Sequence, residues 1–314
     1  MDVVCLGILV ADAIARPVGE LPDRGSLGLV DDISLHGGGC ALNTASALVR
    51  LGLSAGVAGK VGDDALGAFI VALLDGRGVD RRGVLTDPAV GTSASVVLVD
   101  SSGERTFLHL PGASASVRAE ELDRSYLFSG RGLHLAGALV MELLDGEPGA
   151  DLLAEARSRG LLTSLDTVWD ATGRWERVLP ALPHVDLFAP SLPEARAITG
   201  EEEPATIASW LRGRGVGTVV LKCGAAGCYA SGEGFEGALE AVQVDEVDGT
   251  GAGDAFVAGL LYGRLAGWPL ERSARFANAV GALATTAVGG VEGVRGLEET
   301  LALAGLGGSR TLRR

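Results

Sequence analysis

The sequence predicts an α/β fold with a mostly parallel sheet and a small β-sheet lid. Three observations lead there. Short apolar strands alternate with helical stretches through the middle and end of the chain, the pattern of βαβ crossovers. Two early intervals, residues 10–36 and 91–111, carry strand-like runs with little helix between them. A glycine-rich loop, Asp248-Gly249-Thr250-Gly251-Ala252-Gly253-Asp254, runs straight into an apolar, helix-compatible segment.

Taken in order, residues 3–9 form an apolar, buried-strand candidate. Residues 26–35, 93–99 and 106–110 alternate or cluster like strands, the last after the turn at 100–103. Helical periodicity is expected over 42–51, 65–76, 151–159, 193–199 and 205–212. Further short strands are expected at 54–58, 132–135, 162–166, 185–189, 218–222 and 227–230. Two long helices, 253–265 and 270–287, close the chain before a frayed tail at 307–314. The reading is one domain over 1–314, with a discontinuous β flap folded from the intervals 10–36 and 91–111. Ligands of open parallel sheets lie outside the carboxyl ends of the strands, so a flap there would act as a lid. Gly37-Gly38-Gly39 and Gly112 are the hinge candidates.

Composition narrows the function classes. The 314 residues are 47% hydrophobic with 48 glycines, enough for a large α/β core. A net charge of -14 argues against nucleic-acid or anionic-membrane binding, which needs a basic face. It does not forbid a phosphate ligand, which backbone amides can hold locally. Cys5, Cys40, Cys223 and Cys228 form no C-x-x-C pair, so reduced thiols are expected rather than a disulfide framework or zinc site. The four histidines show no metal-ligand spacing. No stretch reads as a signal peptide or as an uncharged apolar span of membrane length, and the expectation is a cytoplasmic, enzyme-like protein.

The chemistry concentrates in the loop at 248–254. Amides at a helix N-terminus lack partners and attract anions. Glycine lets the backbone come close to such an anion. A carboxylate beside that site makes sense as a base that deprotonates a nucleophile attacking a phosphate. The ordinary alternative is a glycine-rich turn with Asp254 as a helix cap. Two other phosphate motifs are excluded: no G-x-x-x-x-G-K-S/T occurs, and Gly249, Gly251 and Gly253 do not give G-x-G-x-x-G.

A second motif precedes it: Gly38-Gly39-Cys40-Ala41-Leu42-Asn43, continuing through Gly52 and Gly59-Lys60-Val61-Gly62-Asp63-Asp64 to Gly67. With the two motifs in this order and separation, the chain resembles the ribokinase-like (PfkB) carbohydrate kinase family over most of its length. The resemblance implies a ribokinase-like three-layer α/β/α fold with a β lid. It implies transfer of the γ-phosphate of ATP, with Mg2+, to a primary hydroxyl of a monosaccharide or sugar acid. Asp254 would be the general base, and the amides of Gly251, Ala252 and Gly253 the anion hole. Asp12, Gly38, Gly39 and Asn43 would hold sugar hydroxyls; the ordinary reading of Asn43 is a helix cap. Lys222, Gly224 and Gly227 match a strand–turn–strand lining the nucleotide site, and Asn278 a position near the adenine. The ordinary readings are a charged strand end for Lys222 and a capped or solvated helix residue for Asn278. Glu194 would order Mg2+ through water. Asp248 and Thr250 match a monovalent-cation loop of potassium-activated relatives, closed by backbone near Thr285, Val288 and Gly290.

The departures from the family pattern are specific. Ser191-Leu192-Pro193-Glu194 stands where Asn-x-x-Glu is common, although a hydroxyl can still bind a metal-bound water. Gly249 replaces a frequent threonine. Val10 replaces an asparagine of ribokinase proper, which counts against ribose. Asp166-Thr167-Val168-Trp169-Asp170 lacks the Asp-x-Asn-x-Arg of relatives acting on keto-sugars or sugar acids. Two rival readings stay open. A nucleoside kinase would need a base-stacking lid, yet only 4% of the chain is aromatic and Phe107 is the lid aromatic. A regulator that has lost catalysis finds support in Ser191, against the intact Asp254 and Gly251–Gly253 run. An exposed lid edge gives a physical route to a homodimer.

Overall fold

The computed structural model describes residues 1–101 and 104–307. Positions 102–103 of the expected turn and 308–314 of the expected tail lie outside them. The chain opens with β1 (Val3–Gly7), in which every residue is buried. A strand buried at consecutive positions must be covered on both faces, the signature of a parallel sheet between helical layers. After β2 (Val10–Arg16) and β3 (Asp32–Gly38) come α1 (Cys40–Arg50), β4 (Ala55–Gly62), α2 (Ala65–Gly76) and β5 (Asp80–Asp87). The next elements are β6 (Ala94–Val99), β7 (Arg105–Leu110), α3 (Gly112–Ala115), α4 (Arg124–Leu127) and β8 (Gly132–Ala138). The second half runs α5 (Glu147–Ser158), β9 (Leu162–Thr167), β10 (Leu187–Phe188), α6 (Leu192–Thr199), α7 (Pro204–Arg212) and β11 (Thr218–Lys222). The hairpin β12 (Cys228–Gly232) and β13 (Phe235–Leu239) follows, then α8 (Ala252–Leu265), α9 (Leu270–Ala284) and α10 (Leu297–Leu303).

Among the described residues, the large sheet has the order β13-β12-β11-β10-β9-β8-β1-β4-β5. It is parallel from β11 to β5, with the antiparallel hairpin at one edge. The chain first builds outward from β1 through β4 to β5, then restarts at β8 on the other side. Strand order thus reverses between β1 and β8, the place where open α/β sheets bind ligands. The helix α1 packs on β1 and β4 and against α8, and α8 packs on α9. No described helix is long and apolar enough to cross a membrane.

A second, four-stranded sheet has the order β3-β2-β6-β7. Its root is tied to the large sheet by Asp64. That side chain caps α2 through the Gly67 amide at 2.8 Å and also accepts from the Thr92 amide (2.8 Å) and hydroxyl (2.7 Å), just before β6. The family-like run Gly62, Asp64 and Gly67 is therefore architectural. A side chain on Gly67 would strike the Gly62 carbonyl.

The strand expected at 26–35 is corrected to Asp32–Gly38. Leu27 and Leu29, which suggested it, are 84% and 89% exposed, in irregular backbone. Apolar residues without a pairing neighbour do not make a strand. Gly37 and Gly38, expected as hinges, lie inside β3, while Gly39 is the N-cap of α1. The strands β5 and β13 carry no apolar run and escaped the sequence reading. All four cysteines are free.

Candidate functional site

The polar residues of interest collect at the carboxyl ends of the parallel strands. Asp166 and Thr167 end β9, Lys222 ends β11, and Ser191 and Glu194 begin the segment after β10. The first turn of α8 faces them. Its N-cap Gly251 has φ 73°, and a Cβ there would lie 2.5 Å from the Gly290 carbonyl oxygen. Only glycine fits this left-handed, crowded corner. The Ala255 amide donates to Gly251 O at 2.9 Å, and the Ala252 amide reaches Gly249 O at 3.3 Å. Among the described residues no acceptor meets the Gly251 and Gly253 amides. Two of the three expected anion-hole donors are thus free, and the third, Ala252, is weakly engaged.

Asp254 sits one residue further, in the first turn of α8. It does not cap the helix; its Oδ2 accepts from Asn43 Nδ2 at 2.8 Å. Asn43, in turn, is not a cap either, because α1 starts at Cys40 and places it in the first turn. The pairing joins the two motifs, 211 residues apart, at one point. The Asp254 carboxylate is enclosed by protein although the residue keeps some exposure. Burial, and then the neighbouring Asp166, push it well above the usual carboxylate range; Asn43, Lys222 and Cys40 act the other way.

Asp166, outside the residues expected at the site from the sequence, lies against Asp254 and Cys40. It is 1% exposed, its Oδ1 accepts from the Gly137 amide at 2.7 Å, and its Oδ2 has no partner. One ligand atom each from Cys40, Asp166 and Asp254 lies within 4.8 Å of the others. Burial raises Asp166, with Lys222 opposing. Desolvation works to lower Lys222, but Asp166, Glu194 and Asp254 hold it above the usual lysine range, so it is a firm cation. A Cβ on Gly253 would lie 3.2 Å from Lys222 Nζ, which places the ammonium beside the free amides. Behind them His134 is fully buried, with Nδ1 3.1 Å from Ser164 Oγ, and burial lowers its pKa to about 4, so it stays neutral. The sequence signal for Asp166 was its place at the end of an apolar strand. That position alone does not show that three other groups converge on it.

Two cavities flank the loop at 248–254. One, of about 320 Å³, is lined by Lys222, Gly224, Gly227, Gly253, Asn278 and Thr285, among others. The expected nucleotide residues are therefore brought together. Asn278, however, donates its Nδ2 to the Glu240 carbonyl at 3.0 Å, so it also pins the segment after β13. The other cavity, about 350 Å³, lies against the small sheet and is lined by Asp12, Ile14, Arg16, Val97, Arg105 and Phe107. Gly249 and Glu246 line both, so the cavities meet at the loop. Asp254 is in the lining of neither; it follows Gly253, which lines the first.

On the second side, burial pushes Asp12 above the usual carboxylate range, against Ser95 and the imidazoles of His109 and His36. His109 is lowered by burial. A side chain at Gly38 would take the space that the Asp12 carboxylate occupies and would displace it. Ser191 and Glu194 form a capping box on α6: Glu194 Oε2 accepts from the Ser191 amide (2.8 Å) and from Thr167 Oγ1 (3.0 Å). The serine in the family's asparagine position thus starts a helix. At Asp248 and Thr250 the structure places a guanidinium: Arg105 Nη1 is 2.9 Å from Asp248 Oδ1 and also donates to Thr250 Oγ1.

The sequence profile described as pfkB family carbohydrate kinase matches residues 1–295. The chain is 29% identical to a 2-dehydro-3-deoxygluconokinase of Bacillus subtilis over 307 residues, 94% of this chain and 92% of that one. It is 30% identical to fructokinase-1 of Zea mays over 285 residues, 85% of this chain and 87% of the relative. In fold it is similar to an E. coli structure designated a ribokinase II, solved with ATP and Mg2+. The TM-score is 0.84 at 24% identity, covering 96% of this chain and 98% of that one.

Proposed function

The chain belongs to the PfkB family of carbohydrate kinases, and from that premise we propose that it transfers the γ-phosphate of ATP to a primary hydroxyl of a neutral monosaccharide. The observation that carries the mechanism is the Asp254 carboxylate, held by Asn43, next to the free Gly251 and Gly253 amides. Asp254 takes the proton of the acceptor hydroxyl. The amides and the N-terminus of α8 meet the charge on the transferred phosphoryl group. Lys222 adds a fixed positive charge beside them. Asp166 makes the deprotonated Asp254 a stronger base by disfavouring its charge. The hard oxygen donors of Asp166, whose Oδ2 is orphaned, and of Glu194 fit Mg2+ held through its waters. That ion, when bound, supplies neutralisation across the phosphates. The cavity with Lys222, Gly224 and Asn278 takes the nucleotide, and the one with Asp12 takes the acceptor. The small sheet of β2, β3, β6 and β7 acts as a lid that excludes water from the transfer.

The neutral acceptor is read from the charges around the second cavity. Arg16 is paired with Asp32 at 3.3 Å, and Arg105 with Asp248 at 2.9 Å. Each guanidinium already has a carboxylate. Asp12 and the neutral His109 suit hydroxyl groups instead. ADP release from MgATP is measured over neutral sugars, sugar acids and nucleosides. A neutral sugar is expected as the best acceptor, by at least about tenfold in kcat/KM, the discrimination of one well-placed interaction. A sugar acid as best acceptor overturns the neutral reading and leaves the kinase reading standing. ATP binding with no turnover on any acceptor favours the regulator.

A second copy of the chain is the proposed partner of the small sheet. Leu35, Ala13, Val96 and Leu108 stand opposite one another across its four strands. Leu35, Val96 and Leu108 are exposed, with Ile33 and Leu110 beside them, while the alternate residues Asp12, Ile14, Val97 and Phe107 face the cavity. A solvent-facing sheet surface is ordinarily polar, so this apolar face calls for a cover. Light scattering is expected to give a dimer, and Leu108→Glu a monomer. A monomeric wild-type chain at micromolar concentration rejects this partner.

A further inference from the structure

Arg105 opens β7, the outermost strand of the small sheet, and reaches out of it to the loop that precedes the free amides. Its partner Asp248 is densely engaged. Oδ1 accepts from Arg105, from the Thr250 amide at 2.9 Å and from the Thr250 hydroxyl at 2.7 Å; Oδ2 accepts from the Gly289 amide at 3.2 Å. Thr250 Oγ1 in turn accepts from Arg105. Burial works to raise Asp248, and the Thr250 and Gly289 hydrogen bonds and Arg105 overcome it, so the carboxylate is ionised. A monovalent cation needs oxygen atoms with free lone pairs. Here Asp248 Oδ1 faces three donors, and the guanidinium it shares with Thr250 Oγ1 sets a full positive charge against both, which repels a cation from that place; Asp248 Oδ2 faces the Gly289 amide alone. The residues present do not fit the cation that the family resemblance implied at Asp248 and Thr250.

We propose that the Arg105 guanidinium is a built-in substitute for that cation. By neutralising Asp248 and fixing the turn at Thr250, it aims the Gly251 and Gly253 amides, and catalysis by this chain does not depend on potassium. Arg105 is in this sense a positioning residue, acting on the anion hole through Asp248 and Thr250. Because it belongs to the small sheet, it also makes the geometry of the hole depend on where that sheet sits. The kinetic part of this inference rests on the phosphoryl-transfer reading above; the cation preference does not.

The test therefore has two arms. In the first, melting temperatures of the ligand-free wild type and of Arg105→Ala are compared in Li+, Na+, K+ and Cs+ at matched ionic strength. A cation that enters the vacated place stabilises the variant by mass action. The variant is expected to melt higher in K+ or Cs+ than in Li+, and the wild type to melt alike in all. In the second arm, kcat of Arg105→Ala in Li+ is expected to fall by about 10- to 100-fold, the scale of a misaimed catalytic group. K+, or guanidinium at low concentration, is expected to restore most of it, with KM for ATP little changed, and Arg105→Lys is expected to keep most of the activity. A wild type strongly activated by K+, or an Arg105→Ala variant whose loss no cation relieves, overturns the proposal. If the wild type shows no acceptor-dependent ADP release at all, the phosphoryl-transfer reading has failed, and the melting arm still decides the cation question.

Discussion

Asp254→Asn is expected to lower kcat by roughly 10² to 10⁴, the range of a positioned general base. An asparagine oxygen can still accept from Asn43 Nδ2, so the link between α1 and α8 survives. What is lost is the ability to take a proton. ATP binding is expected to hold or tighten, because the substitution removes a negative charge beside Lys222 and the free amides. The pH dependence adds a signed check. Burial and Asp166 raise the pKa of Asp254, and only the deprotonated form can act as base. In the wild type, kcat/KM should therefore fall as pH drops through that raised value, with the limb displaced upward from where an ordinary aspartate titrates. The variant's residual rate should lack this limb. A kcat within about tenfold of wild type, with ATP binding intact, sinks the assignment of Asp254.

The pairing of Asn43 with Asp254 also indicates how far the sequence can be read. Each motif was legible as glycines beside a chemically useful side chain at a helix start. Their contact was not, since nothing local in residues 38–43 or 248–254 tells one about the other. The parallel strands were legible because burial on both faces leaves continuous apolar runs such as Val3–Gly7 and Thr218–Lys222. β5 was not, because half of Asp80–Asp87 is charged: it is the edge strand, and much of it stays exposed. The exposed leucines 27 and 29 misled for the converse reason, as hydrophobicity without a pairing strand.

Electrostatic identity was the least legible layer. Asp166 reads as one more strand-end acid until the fold sets it against Lys222, Cys40 and Asp254. Arg105 lies just ahead of the strand expected at 106–110, with nothing nearby to mark it, until the small sheet carries it to Asp248, 143 positions away. Ser191 reads as a weakened metal-site residue, whereas locally it is half of a capping box whose spacing, Ser191 to Glu194, was visible in the sequence. In each case the residue type was plain and its partner was not, because the partner is supplied by the topology rather than by neighbouring sequence.

Gly251→Ala is expected to be nearly as damaging as removal of the base, for a backbone reason. Gly251 has φ 73°, and so does Gly267 at the other end of the same helix, at 72°. Alanine at either position takes on the left-handed strain, roughly 1 kcal/mol, or a melting temperature lower by about 1–2 °C in a chain of this length. The surroundings separate them. Nothing lies within 4 Å of a Cβ at Gly267, whereas at Gly251 it would lie 2.5 Å from Gly290 O and 2.7 Å from Gly290 Cα. Those are backbone atoms, which cannot rotate away. Either the turn or the segment at Gly290 must move, and Gly290 borders the Asn43 carboxamide that holds Asp254. The amides of Gly251 and Gly253 then point away from where the phosphoryl charge develops. Loss of one such donor lowers kcat by about 10²- to 10³-fold. Gly267→Ala should melt lower yet keep its kcat, and Gly251→Ala should lose both. If Gly251→Ala retains kcat within about tenfold of Gly267→Ala, the anion hole is not built from this turn.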